Sequence, residues 1–332
     1  MPLKIKQIEY FLPKEILTNQ ELQKKNLTWD IKSIQKKTGV KKRHIATKNQ
    51  TAYDLSLAAC KKLLSKNDYK NIDAILYCTQ SPDYLMPSNS FLLHKDLKLK
   101  KDVFNLDFNH GCSGYIYSLV IADSLIKSKQ AKNILLVNAD TYSKFINKKD
   151  KSTRVLFGDG AAATLIEDNP KSVGIVDSII ETYGKGFDSF WIPSGGMRNK
   201  DNSNKISKDR SGNERLSTNI HMDGFAVWSF INTNVPRQIN KLLKKNNLNK
   251  RDIDLFIFHQ ASQFTLDSII KSLKIDSNKT FINIEDKGNT VSATIPIAIK
   301  DAMNQKKLKR GALVVLSGFG IGLSYGSILI KF

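Results

Sequence analysis

The feature that most constrains the fold of this chain is an internal repetition of elements. The apolar run Ile72-Asp73-Ala74-Ile75-Leu76-Tyr77-Cys78 has a near copy in Ile253-Asp254-Leu255-Phe256-Ile257-Phe258-His259. Each reads as a buried strand, and each follows a Lys-rich helical stretch, Ala52 to Leu64 and Val235 to Leu243. Next, Cys112 opens a helix-like run to Lys127, followed by the strand Asn133 to Asn138. Asn289 likewise opens a run to Met303, followed by the strand Gly311 to Leu316. A last strand closes each half: Ala161 to Glu167 after the turn Gly158-Asp159-Gly160, and Ser324 to Lys331 after the turn Gly318-Phe319-Gly320. Strands alternating with helices predict βαβ units with buried parallel pairing, so the expected fold is α/β, built from two duplicated halves. Two equivalent helices meeting at a pseudo-twofold axis would bring Cys112 and Asn289 together. The polar stretch from Gly195 to Asn219 reads as a surface loop beside a substrate entrance.

Composition removes several classes of function. With 332 residues, 41% hydrophobic and 25% charged, the chain can bury a large core. No apolar run approaches the roughly 20 residues that span a bilayer, so no membrane is expected. The start, Met1-Pro2-Leu3-Lys4-Ile5-Lys6, lacks the apolar stretch of a secretory signal. The three cysteines, Cys60, Cys78 and Cys112, have no paired spacing for zinc or a disulfide framework. A cytoplasmic location is therefore expected. The net charge of +21 raises a nucleic-acid reading, but the lysines are scattered singly and in pairs, with no recognition motif among them. No nucleic acid is expected as a partner. A basic surface does suit an acidic protein.

Three residues stand out for chemistry. Cys112 lies in Asn109-His110-Gly111-Cys112-Ser113-Gly114, whose small neighbours permit a tight strand-to-helix turn. A helix N-terminus there predicts a lowered thiol pKa and a ready nucleophile. Cys60 and Cys78 read as structural. His259 ends a strand in Phe258-His259-Gln260-Ala261-Ser262, and α/β folds collect ligands at strand C-termini. His44, His94, His110 and His221 lack such a setting. Asn289, in Gly288-Asn289-Thr290-Val291-Ser292, reads either as a helix cap or turn residue or, through the duplication, as a side-chain donor. Gly318, Gly320 and Gly322 lead into a strand and not a helix, so a dinucleotide loop is ruled out.

Taken in order, these motifs resemble the β-ketoacyl-acyl-carrier-protein synthase III family of condensing enzymes. The resemblance runs from Thr38-Gly39-Val40-Lys41-Lys42-Arg43-His44-Ile45 through Met86-Pro87-Ser88, the Cys112 turn and Leu156-Phe157-Gly158-Asp159-Gly160-Ala161-Ala162. It continues through Met222-Asp223-Gly224 and the His259 and Asn289 motifs to Gly318-Phe319-Gly320-Ile321-Gly322-Leu323-Ser324-Tyr325-Gly326. It implies a thiolase-like fold layered αβαβα, with an N-terminal half over 1–172 that carries the cysteine and a C-terminal half over 173–332 that carries His259 and Asn289.

For function, the resemblance implies a Cys112–His259–Asn289 triad, with the backbone amides of Cys112 and Ile321 as the oxyanion hole. Cys112 would take an acyl group from acyl-CoA or an acyl-carrier thioester. His259 and Asn289 would support decarboxylation of malonyl-carrier protein, giving a 3-oxoacyl-carrier and CO₂. No metal or redox cofactor is implied. Acyl carrier protein is the implied partner and a homodimer the implied assembly. Elongating relatives carry a second histidine where Asn289 stands, and degradative thiolases carry a second cysteine near the C-terminus. Both patterns are missing here. The family's coenzyme A clamp is altered: its tryptophan and arginine stand as Ser33 and Lys37, and a phosphate-binding arginine as Lys151, which keeps charge but loses the bidentate fork. The usual polar residue after Met-x-Gly is Phe225, and the carrier-docking arginine is Phe264, with Lys271 basic on the same helix. Lys37, Lys151, Phe225 and Lys271 are the candidate substrate-binding positions. A non-condensing acyltransferase of the same fold is the alternative, and a non-catalytic basic binding protein is the third reading.

Overall fold

The structure is a computed structural model that describes residues 3–65, 71–169, 174–200, 206–208 and 213–332. The expected division between 172 and 173 lies outside the described residues, as do 201–205 and 209–212 of the polar stretch.

Two sheets carry the repeat. The first has the order Leu3–Phe11, Gly160–Asp168, Asn133–Asp140, Ala74–Cys78, Phe104–Phe108. The second has the order Gly174–Thr182, Ser324–Lys331, Leu313–Gly320, Leu255–Phe258. Laid side by side, the sheets match strand for strand. The place of Phe104–Phe108 is taken in the second by a parallel bridge between Phe256 and Thr280.

Pairing is parallel only around the inner strands. Ala74–Cys78 runs parallel to both its neighbours, and Leu255–Phe258 to Leu313–Gly320. The expected buried parallel pairing is found at these strands, and the remaining pairs are antiparallel. The turn 321–323 between Leu313–Gly320 and Ser324–Lys331 is too short for the crossover that a parallel neighbour requires. The same register moves Gly318-Phe319-Gly320 out of a turn and into the strand, opposite Gly326, Tyr325 and Ser324.

Helices fill the spaces between and outside the sheets. Gly114–Lys127 and Thr294–Asn304 lie in the middle layer. There Tyr115, Ile116, Leu119 and Ile126 of one share a single core with Ile295, Ala298 and Ile299 of the other, and that core draws strand residues from both sheets. Ala52–Leu64 covers the outer face of the first sheet through Leu55, Ala59 and Leu63. Gly224–Lys245 and Gln263–Leu273 cover the outer face of the second through Val235, Ile239, Leu266 and Ile269. The layering is αβαβα.

Local signals set the helix ends. Thr51 and Asp54 form a capping box that starts Ala52–Leu64. Gly224–Lys245 begins well before the expected Val235, because the Asp223 carboxylate accepts from the Ala226 amide 2.9 Å away and caps it there. Burial of Phe230 and Ile231 then carries the helix on through Pro236. Ser113 Oγ and Ser324 Oγ, 2.7 Å apart, tie the cysteine turn of the first half to a strand of the second.

Candidate active site

Cys112 sits in the turn before Gly114–Lys127 and is buried. Strand Leu313–Gly320 presses against it so closely that a Cβ on Gly320 would stand 2.9 Å from both Cys112 Cβ and Sγ. A Cβ on Gly111 would meet Ile321 Cγ2 at 2.3 Å. Only glycine fits at either place. The amides of Ile321 and Cys112 hydrogen-bond the sulfur and favour its thiolate. Burial outweighs them and, with the Asp140 carboxylate adding its repulsion, pushes the thiol up to about 12. The lowered pKa expected from a helix N-terminus is therefore not found in the resting site, where the thiol is protonated.

Asn289 is held from the opposite half. Its amide donates to Leu156 O (2.9 Å), and its carbonyl accepts from the Gly158 amide (3.0 Å). The Leu156-Phe157-Gly158 motif of the first half thus fixes a turn of the second. Asn289 Oδ1 accepts from the Val291 amide at 2.9 Å, an Asx turn. That leaves Nδ2 facing His259 Nε2 at 3.3 Å. The two readings left open by the sequence are both satisfied by one side chain: its oxygen makes the turn and its nitrogen is a donor at the site. His259 follows strand Leu255–Phe258 and is fully buried among polar but uncharged partners. Its Nδ1 is 2.7 Å from Thr294 Oγ1. Burial pushes the imidazole down to about 3, so it is neutral.

Cys112, His259 and Asn289 line one cavity of about 560 Å³. Its walls are mainly apolar, with Leu156, Phe157, Phe190, Ile231 and Phe319 among them. At its mouth Trp228 lies between Phe225 and Phe264, with ring centroids 6.1 and 5.6 Å away. Phe225 is 76% exposed and Phe264 55%. Of the candidate binding residues, Lys37 and Phe225 border this cavity. Lys151 is exposed on the short helix beside it, where Ser152 and not Lys151 reaches the lining. Lys271 borders a separate surface hollow with Asp267 and Lys307. His110 stacks on Tyr117 at 4.0 Å, and Cys60 and Cys78 are buried with their thiols pushed up by burial.

Three residues at the site escaped the sequence reading. Thr294 contacts His259, and Trp228 joins the two exposed phenylalanines. Asp140 ends strand Asn133–Asp140 fully buried, accepting from the Gln80 amide and the Ser292 hydroxyl, each at 2.8 Å. Its carboxyl is pushed up to about 7, mainly by burial. A polar residue at the C-terminal end of an apolar strand was the available signal for Asp140.

Residues 106–184 match the family model "3-oxoacyl-[acyl-carrier-protein (ACP)] synthase III", and 243–332 match the model for its C-terminal part. The β-ketoacyl-[acyl-carrier-protein] synthase III of Campylobacter fetus subsp. fetus is 36% identical over 97% of this chain and 96% of its own length. That of Syntrophomonas wolfei subsp. wolfei is 34% identical over 100% and 98%. Among solved structures, a 3-oxoacyl-(acyl-carrier-protein) synthase III superposes with a TM-score of 0.97 at 35% identity, covering 100% of both chains. The synthase III of Aquifex aeolicus superposes with a TM-score of 0.86 at 31% identity, over 99% of this chain and 100% of that one.

Proposed function

Because the chain belongs to the 3-oxoacyl-[acyl-carrier-protein] synthase III family, we propose that it is an acyltransferase that condenses two thioesters through Cys112. In the first half of the reaction Cys112 Sγ attacks an acyl thioester, the donor's carbon–sulfur bond breaks, and the acyl group stays on the cysteine. The amides of Ile321 and Cys112, already directed at the sulfur, are the donors for the oxyanion. In the second half a malonyl-carrier thioester enters and loses CO₂. Its carbonyl takes up enolate charge between His259 and Asn289, and the carbanion attacks the acyl-cysteine. The products are a 3-oxoacyl-carrier and free Cys112. Thioesters supply the activation, so the reading calls for no metal or redox cofactor.

The observation that carries this proposal is the 3.3 Å pair of His259 Nε2 and Asn289 Nδ2 on the wall of the same cavity as Cys112. A transferase that only moved the acyl group to an alcohol or amine could use His259 as a base, but it forms no enolate for a second donor, Asn289 Nδ2, to stabilise beside the ring. Acyl carrier protein as partner, a homodimer and a cytoplasmic setting belong to the same proposal. The charge of +21 suits an acidic carrier. The family role in fatty acid initiation is the first assignment. A specialised acyl pathway stays within the same chemistry, since the mouth is aromatic at Phe225 and Phe264.

The test is intact-protein mass spectrometry with acyl-CoA and acyl-carrier donors, followed by malonyl-carrier protein. We expect an adduct that is lost in Cys112→Ala and discharges with CO₂ release into a 3-oxoacyl-carrier. An adduct that malonyl-carrier protein cannot discharge would establish the non-condensing transferase instead. The faster of the two donors identifies what the aromatic mouth admits.

A further inference from the structure

The mouth of the Cys112 cavity is built from the first turns of two helices. The Asp223 carboxylate accepts from the Ala226 amide at 2.9 Å and starts Gly224–Lys245. The Ser262 hydroxyl accepts from the Thr265 amide at 3.2 Å and starts Gln263–Leu273. Each cap is followed two residues later by a phenylalanine, Phe225 on one helix and Phe264 on the other. Trp228, one turn after Phe225, fills the space between them, its ring tilted by 36° to the first and 33° to the second. The Trp228 indole nitrogen is buried with no hydrogen-bond partner among the described residues, so the ring is held by packing and not by a polar tie.

Phe225 and Phe264 are both exposed. A single exposed apolar side chain needs no explanation, but three neighbouring rings at the rim of a cavity form the kind of patch that a partner covers. Aromatic anchors of this sort carry much of the binding energy at protein interfaces. The proposed reaction says which partner this is. Malonyl-carrier protein reaches Cys112 only by passing its thioester arm through the mouth, which leaves the body of the carrier against the rim. The acyl donor enters by the same mouth. Coenzyme A ends the same arm in phosphates and an adenosine. Among the described residues that line the cavity, Lys37 alone is charged, so those phosphates meet one cation and a rim of rings.

We propose that Phe225, Trp228 and Phe264 dock an apolar spot on the carrier protein, and that this contact makes carrier-bound acyl groups, and not acyl-CoA, the preferred donors to Cys112. The inference rests on the condensing reading above and deepens it by naming the donor. Charge and apolar contact then act at different stages. The net charge of +21 draws an acidic carrier in from a distance, an attraction that salt screens. The rings hold the docked carrier by removing apolar surface from water, which screening does not weaken. Both helix starts are fixed by their caps, so the rings stand in place before the carrier arrives and docking costs little ordering. The chemistry at the sulfur is unchanged: Cys112 Sγ bonds the acyl carbon and the carrier's arm leaves as a thiolate that takes a proton from solvent. One patch serves both half-reactions, first for the acyl-carrier and then for malonyl-carrier protein.

The experiment offers one acyl group, acetyl, on three supports: acyl carrier protein, coenzyme A, and N-acetylcysteamine, which is the end of the arm with nothing beyond it. Loading of Cys112 is followed by intact-protein mass spectrometry, and kcat/KM is compared between supports. The carrier should be preferred to coenzyme A by about tenfold or more, the worth of one buried aromatic anchor. The preference should persist at about 1 M salt, where the Debye length is only about 3 Å and steering by charge is screened. Phe225→Ser and Phe264→Ser should each lower the carrier-to-N-acetylcysteamine ratio by about tenfold or more, through KM. Equal or better loading from coenzyme A, a preference that vanishes in salt, or a ratio unchanged in the folded variants overturns the proposal. The salt series on the parent protein decides even where a variant fails to fold. Malonyl-carrier protein, added after loading, keeps the two levels apart. An adduct that loads best from coenzyme A and condenses normally removes the docking patch and leaves the condensing reading standing. An adduct that loads best from the carrier and cannot be discharged does the reverse, and no adduct from any support removes both.

Discussion

The reactivity of Cys112 is set by a contest between two short-range terms of opposite sign. Amides of Ile321 and Cys112 favour the thiolate, while burial and the Asp140 carboxylate oppose it. The second pair wins in the resting protein, which makes Asp140 the residue that most directly restrains the nucleophile. Asp140→Asn keeps the shape and removes the charge. Alkylation of Cys112 by iodoacetamide, followed by peptide mass spectrometry, should then be faster at pH 8 by roughly threefold or more, since each unit of thiol pKa is worth about tenfold in thiolate. The Asp140 carboxyl is itself raised to about 7, so the gap between variant and parent should close as the pH falls below 7 and the parent's carboxyl is neutralised. A rate unchanged at pH 8 would remove Asp140 from this role. The sequence pointed to the nucleophile but not to its restraint. A helix N-terminus is visible in a string of residues, whereas the depth at which it is buried is a property of two sheets coming together.

At the scale of elements, the strand Leu313–Gly320 matters more for what it lacks than for what it carries. Its last residue must pass within van der Waals contact of Cys112, and a Cβ on Gly320 would be 2.9 Å from the sulfur. Gly320→Ala should therefore displace the nucleophile. We expect Cys112 acylation to fall by at least about tenfold and stability to drop by about 1–3 kcal/mol, as for an overpacked core position. Gly184→Ala, where nothing lies within 4 Å of the added carbon, should stay within about 0.5 kcal/mol and acylate normally. Equal acylation by the two variants would mean that the strand does not position the thiol. This strand also marks where the sequence stopped being legible. Runs such as Ala74–Cys78 and Leu255–Phe258 declare themselves, because burial on both faces demands unbroken apolar residues. Gly318 and Gly320 read as a turn, because glycine serves both turns and close approaches. Only the partner across the molecule, Cys112, tells the two apart. Thr294 was hidden for a similar reason: at the first position of a helix, a threonine looks like capping chemistry, and its contact with His259 spans 35 residues.

At the scale of the whole molecule, the site is a seam between halves, and the groups buried there link its chemistry to stability. Ser292 of the second half donates to Asp140 of the first, and the Phe157–Asn289 bridge crosses the same seam. His259 and Asp140 then pull stability in opposite directions with pH. His259 is held at about 3 when folded, against an ordinary value near 6.5, so between those limits the unfolded chain binds the extra proton. Its contribution is full above 6.5 and declines as the pH falls toward 3. Asp140 is raised to about 7 from an ordinary 3.8, so in that window the folded chain binds the extra proton. Its burial penalty is largest above pH 7 and fades as the pH falls toward 4. In the parent the two trends mask each other, and a single pH–stability curve would show neither. A difference measurement separates them. Urea unfolding of parent and His259→Gln at pH 6.5 and 4.5 should show the parent losing roughly 2 kcal/mol more than the variant over that interval, because the other titrating groups cancel in the comparison. The variant's loss of the Thr294 and Asn289 hydrogen bonds is a constant offset and does not change the slope. Parallel curves would mean that His259 is protonated in the folded protein at pH 4.5, in which case the neutral ring is not the state the fold maintains.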